Sequence, residues 1–249
     1  MNRTLITMIL FLLAAGLLSF RMESLPSGEP VSAVQQRLFE LAKGHDHPPM
    51  NEVGGRTVVN FWQLPDSQKN CGGLCFKIAK ERVNKAFQQV TGKGLYEWLP
   101  STMATAYLSP RQVFDWTWNI NSQDNEIWRS IPNIRATGSA GALQMAKLGT
   151  IKDEKMIWKG ELKPGAVVQT FVYASDFMKV LKGINNPSEE NNLSSYGHSF
   201  IFLEYVRDEN EEIIGMRVAD QGFLNNVVVT QEDFQSWWGA NILDPATNP

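Results

Sequence analysis

The chain has 249 residues, 43% of them apolar, and its 23 Lys and Arg against 26 Asp and Glu give a formal charge of −3. That length supports one large domain, or a domain with an appendage, around a real core. The slightly acidic balance excludes the basic footprint of a nucleic-acid binder, and the sequence shows no internal repeat or low-complexity tract.

Arg3 precedes an uncharged apolar run from Leu5 to Phe20, and Ala14-Ala15-Gly16 offers small residues for a cleavage site. Residues 1–16 (to 20) therefore read as a secretory signal peptide, which makes the protein exported, either periplasmic or secreted. As an uncleaved anchor the run would span only about 24 Å at ~1.5 Å per residue, short of a ~30 Å hydrocarbon core. No cysteine follows it closely enough to carry a lipid.

Residues 21–56 read as an N-terminal helix and linker. Val31, Val34, Leu38, Leu41 and Ala42 recur at helical spacing up to Gly44. His45-Asp46-His47-Pro48-Pro49 and Gly54-Gly55 read as loop, and the two histidines lack a third metal ligand. A domain then runs over 57–249. Thr57 to Trp62 reads as a short strand. From Leu74 a helical stripe of Cys75, Ala79, Val83, Ala86, Phe87 and Val90 begins, with Gly72-Gly73 breaking the chain before it. Ser109-Pro110 is a helix start, and Ser139 to Gly149 a short helix. Ala166 to Phe171 is a strand after the turn at Pro164-Gly165, and Ser175 caps a short helix to Gly183. Val227 to Val229 is a further strand, and Thr230 is read as the cap of a last helix carrying Phe234, Trp237 and Trp238. Helices first and strands later argue for α+β with a mostly antiparallel sheet.

The run from Gly197-His198 through Ser199-Phe200-Ile201-Phe202 is an apolar strand with an imidazole at its mouth, and Ile213 to Asp220 is its hairpin partner. Keeping apolar faces together pairs Phe200 with Val218 and Phe202 with Met216, which sets His198 opposite Asp220. Directly opposed residues are ~5 Å apart at Cβ, so the Asp220 carboxylate could orient the His198 ring. Gln221 and Asn225 are the fallback orienters. The only two cysteines, Cys71 and Cys75, stand at a helix start upstream. Such a position lowers a thiol's pKa and offers free N–H groups to an oxyanion. A helix beginning at Leu74 favours Cys75, and one beginning at Asn70 favours Cys71. Gln68 and Asn70 are candidate oxyanion donors. No metal or cofactor is called for.

Gly73-Leu74-Cys75-Phe76, Leu162-Lys163-Pro164-Gly165-Ala166-Val167-Val168, Gly197-His198-Ser199-Phe200 and the Asp220 strand resemble the motifs of CHAP-type amidases. Ala166 stands where those carry Asp. Asn70-Cys71-Gly72-Gly73-Leu74 is similar to the NlpC-type pattern and nominates Cys71. Gln68 to Phe76 resembles papain's own segment and nominates Cys75. The resemblance covers short motifs between Gln68 and Gly222 and implies a papain-like fold, with an insertion around 96–138. It implies a Cys-His-Asp hydrolase, Cys75 or Cys71 with His198 and Asp220, that cleaves amide bonds in cell-wall peptidoglycan peptides. The expected partner is peptidoglycan or its fragments, with no nucleic acid and a monomeric chain. Two further readings are an exported peptidase or transglutaminase-like enzyme with another substrate, and a non-enzymatic envelope protein using an aromatic groove. Trp116, Trp118, Trp237 and Trp238 are candidates either for such a groove or for the core.

Overall fold

A computed structural model describes residues 30–43, 51–53, 56–58, 71–119, 137–181, 197–219 and 228–246, with backbone alone for 43, 51–53, 56–58, 71–78, 176 and 179–181. The proposed signal peptide, His45 to His47, Gln68, Asn70 and Asp220 to Val227 lie outside the described residues. Among the described residues no helix is long and apolar enough to cross a membrane.

The protein is α+β, with helices packed on a mostly antiparallel sheet. Helix α1 (Ala33–Lys43) is followed by a small hairpin of β1 (Asn51–Val53) and β2 (Arg56–Val58). Helix α2 (Cys71–Thr91) comes next, then two 3-10 turns at Leu95–Trp98 and Ser101–Met103, and α3 (Pro110–Trp118). Ser109 caps α3 through a capping box with Gln112, as its sequence signals, and the proline occupies the first turn, where no N–H is needed. Helix α4 (Gly138–Met145) leads into strand β3 (Gly149–Asp153) and the single-turn helix α5 (Glu154–Ile157). Strand β4 (Val167–Phe171), helix α6 (Ala174–Leu181), strands β5 (His198–Arg207), β6 (Ile213–Ala219), β7 (Val228–Val229) and β8 (Ser236–Ile242) complete the order.

Six of these strands form one antiparallel sheet in the order β3-β8-β4-β5-β6-β7. One face carries Val167, Ile201, Ala219, Ala240 and Ile242, and is covered by α1, α2, α3 and α4 through Val34, Leu38, Val83, Phe87, Phe114 and Leu143. The other face carries Val168, Phe200, Phe202, Met216, Val218 and Trp237, and is covered by Ile157, Leu162 and Phe234. Tyr205 fastens that second layer: its hydroxyl donates to the Ile157 carbonyl at 2.6 Å and accepts from Leu162 N–H at 3.0 Å. Burial pushes its phenol well above the usual range.

Three differences from the sequence reading have physical causes. The segment after Thr230 is not a helix. Thr230 does form a capping box with Asp233, but the coil lasts one 3-10 turn (Gln231–Asp233) before the chain extends into β8. Phe234, Trp237 and Trp238 mimic a helical stripe because β8 is buried on both sides: Trp237 faces one layer and Trp238 the other. Secondly, Gly72-Gly73 does not break the chain before α2: of the two starts left open the structure has the earlier, at Cys71, so both glycines are helical, Cys71 lies in the first turn and Cys75 in the second. Thirdly, the β5–β6 register differs by two residues. Phe202 pairs with Val218 and Ile201 with Ala219, and a bulge at Leu203 then sets Tyr205 against Met216. A shift of two keeps every apolar side chain on its face, so the hydrophobic pattern could not distinguish the registers. The expected pairs Phe200–Val218 and Phe202–Met216 are therefore wrong. The His198–Asp220 pairing no longer follows from register.

Helix α1, which the sequence sets apart with a linker, belongs to the core. The Asp244 carboxylate accepts from Ala33 N–H at 3.0 Å and Val34 N–H at 2.9 Å, capping the helix from the far end of the chain. The fully buried Gln35 amide donates to the carbonyls of Lys163 and Pro164 and accepts from Ile242 N–H at 2.6 Å. Gln35→Leu keeps the volume but orphans those groups, and should cost roughly 1–3 kcal/mol or more. Asp244→Ala should cost about 1 kcal/mol. Urea unfolding midpoints of both variants test the ranking, and equal midpoints would remove Gln35 as the tie between α1 and the sheet.

Candidate active site

His198 is the first residue of β5, a strand with neighbours on both sides, and it is only 4% exposed. Its backbone pairs with Thr170 of β4, whose hydroxyl donates to the His198 carbonyl at 3.3 Å. The pleat sends its ring to the face of Phe200 and Phe202. There it stacks on Phe234, with 6.2 Å between centroids and 12° between planes, and tilts against Phe200 at 5.8 Å. Thr170 and Trp237 continue this row across β4 and β8.

Helix α2, which bears Cys71 and Cys75, packs on β5 from the opposite face. Its backbone puts Cys71 at the first helical position, where N–H groups have no partner within the helix. Helix α2 thus covers the face of the sheet opposite the His198 ring. Ala219, the last residue of β6, pairs with Ile201 of β5, and Asp220 follows it in the sequence, outside the described residues. Among the described residues no group of His, Cys, Asp and Glu could hold a metal.

One cluster beside His198 escaped the sequence reading. On the α2 side of the sheet, Ser199, Gln169 and Ser139 form a buried polar chain. The Ser199 hydroxyl donates to Gln169 Oε1 at 2.9 Å, and Gln169 Nε2 donates to the Thr170 carbonyl at 3.0 Å. Because the single Ser199 proton is committed, the Ser139 hydroxyl, 3.2 Å away, is the donor in its contact with Ser199 Oγ. Gly138 opens α4 with φ 55°, and a Cβ there would fall against the Gln169 side chain. The chain thus ties the start of α4 to β4 and β5 at the residue next to His198. Its signal in the sequence is a glutamine, with Thr170 beside it, inside the buried strand Val167 to Phe171.

Of the two roles open to the tryptophans, groove or core, the structure gives all four to the core. Trp118 and Trp237 are fully buried, and Trp116 and Trp238 are half-buried against the core. An open cleft of about 430 Å³ is lined instead by Glu154, Lys155, Trp158, Lys159 and Gln231. Comparison of the chain with family models, curated proteins and solved structures finds no match.

The buried chain makes a quantitative prediction. Gln169→Leu and Ser199→Ala should each destabilise the protein by roughly 1–3 kcal/mol, because each leaves a buried partner unsatisfied. The double variant should cost less than the sum, since both partners go together. Strict additivity in denaturant titrations would show that the two side chains are not coupled.

Proposed function

We propose that the protein is an exported cysteine hydrolase of papain-like type that cleaves amide bonds in cell-wall peptidoglycan peptides. The thiol of Cys75 or Cys71 attacks the amide carbonyl. His198 takes the thiol proton and returns it to the leaving amine, and Asp220 orients the imidazole. Free N–H groups at the start of α2 stabilise the oxyanion. The observation that carries this reading is the packing of α2, which begins at Cys71, across β5, which begins at His198. The apolar run before Phe20 supports export, and the motifs around Cys75, Pro164-Gly165 and His198 support the substrate class.

A second reading has one observation in its favour. The His198 ring sits among Phe200 and Phe234, on the face away from α2. A binding protein of the envelope, with these aromatic side chains in a structural role, would need no contact between thiol and imidazole.

Digestion of purified peptidoglycan, with products weighed by mass spectrometry, separates the two. His198→Ala should lower turnover by about 10³-fold or more, and a Cys71→Ala/Cys75→Ala protein should be inactive. Loss on Cys75→Ala with activity kept in Cys71→Ala names Cys75 as nucleophile, and the reverse pattern names Cys71. Asp220→Ala should cost more than Asp220→Asn, which can still accept a hydrogen bond from the ring. An intact wall after treatment with folded protein, with both thiols slow to alkylate near neutral pH, would sink the hydrolase in favour of the binding protein.

A further inference from the structure

The cleft beside Trp158 has no role in the amide chemistry, yet its lining is selective. Four of its residues come from α5 and the turn that follows, and Gln231 comes from the 3-10 turn before β8. Gln231 Nε2 donates to Glu154 Oε1 at 2.8 Å and bridges the two walls. Trp237 Nε1 donates to the carbonyls of Gln231 and Phe234 at 3.1 Å, which fixes the turn from below. Trp158 meets Trp237 at 5.1 Å and 88°, so its ring is braced without being covered over. Its Nε1 is buried with no partner among the described residues. The Glu154 carboxylate is engaged by Gln231, whereas Lys155 and Lys159 have no carboxylate partner among the described residues.

A braced indole, a fixed amide and two unspent ammonium groups on one rim point to a mixed ligand. The indole offers a π-face to the C–H face of a sugar ring. The Gln231 carbonyl oxygen can accept from a hydroxyl or acetamide N–H, and the lysines can make charge-assisted bonds to a carboxylate. The Glu154 carboxylate disfavours a more highly charged anion such as a phosphate. We propose that this cleft is a binding subsite for a saccharide ring bearing a carboxylate. A row of rings leads from it toward the candidate active site: Trp158 to Trp237 at 5.1 Å, Trp237 to Phe234 at 5.2 Å, and Phe234 to His198 at 6.2 Å. The subsite therefore lies on the same face of the sheet as the His198 ring. The cell-wall reading supplies such a sugar only as muramic acid whose lactyl carboxyl carries no peptide, and the recognition chemistry stands without that reading.

The test uses the full chain carrying Cys71→Ala and Cys75→Ala, so that nothing turns over. It is titrated with N-acetylmuramic acid, with N-acetylglucosamine and with lactate, and the indole N–H signals are followed by NMR. Trp158→Phe identifies the Trp158 signal by its loss. N-acetylmuramic acid should shift that signal saturably, with N-acetylglucosamine binding at least about tenfold more weakly and lactate not binding. The exposed pair Lys155→Gln/Lys159→Gln should abolish the preference for the acidic sugar while leaving the other indole signals in place. Equal affinity for the two sugars, an equal response to lactate, or an unmoved Trp158 signal would overturn the proposal. The two readings fail separately. Sugar binding with no wall hydrolysis by the unmodified protein sinks the hydrolase alone, and hydrolysis with a silent Trp158 sinks the subsite alone.

Discussion

Strand β4 has no exposed side chain: all of Val167 to Phe171 are buried, between β8 on one side and β5 on the other. A strand held in this way cannot slip. Moving it by one residue would drive Val167 into the Phe200 layer and Val168 into the α2 layer. Its one amide, Gln169, adds direction to that constraint, because a buried amide must find partners or cost roughly 1–3 kcal/mol. It finds them in Ser199 and in the Thr170 carbonyl, and Ser199 reaches Ser139 at the start of α4. The position of β5 against β4, and so the height at which His198 stands, depends on this strand.

From that row the two layers separate in character. The face under α2 is a helix-covered core closed from outside by α1, whose N-terminus is capped by Asp244 and whose Gln35 reaches Ile242 and the Pro164 turn. Residues more than 200 apart in sequence thus complete one another's hydrogen bonds. The opposite face is thinner and aromatic, with Phe200, Phe202, Phe234 and Trp237 beneath the short α5 segment and its turn. The His198 ring and the Trp158 cleft both belong to this aromatic layer. The Trp158 cleft and the imidazole are on one side of the sheet, and the helix that bears the cysteines is on the other.

A second polar cluster shows how the chain between α2 and α4 is integrated. Asp115 of α3 accepts from Lys80 of α2 at 2.6 Å and from the Tyr96 hydroxyl at 2.7 Å, and Arg111 lies 4.3 Å over the Tyr96 ring. Burial first, then the Asp115 carboxylate, pushes the Tyr96 phenol well above its usual range. The described part of this segment, read from sequence as an insertion, shares the α2 core through Phe114 and Trp118.

Local chemistry made several elements legible in the sequence alone. Ser109-Pro110 fixed the start of α3, Pro164-Gly165 the turn into β4, and the apolar runs after His198 and Ile213 the central hairpin. Each rests on residues near one another in the chain, so the sequence determined the α+β class and the place of His198 at a strand mouth. What lay beyond it depended on contacts distant in sequence. Burial on both faces put Trp237 and Trp238 of a seemingly helical Phe234-Trp237-Trp238 stripe into β8. A two-residue register difference, invisible to an alternating pattern, moved Val218 from Phe200 to Phe202. The glycines before Leu74 lie within α2 although their propensity argues against it, so intrinsic preference was a weak guide to where this helix begins. The partners of Gln169 and Gln35, and the cleft at Trp158, follow from which buried polar groups meet across the fold. A sequence names those groups without pairing them, and only the tertiary structure decides which satisfy one another.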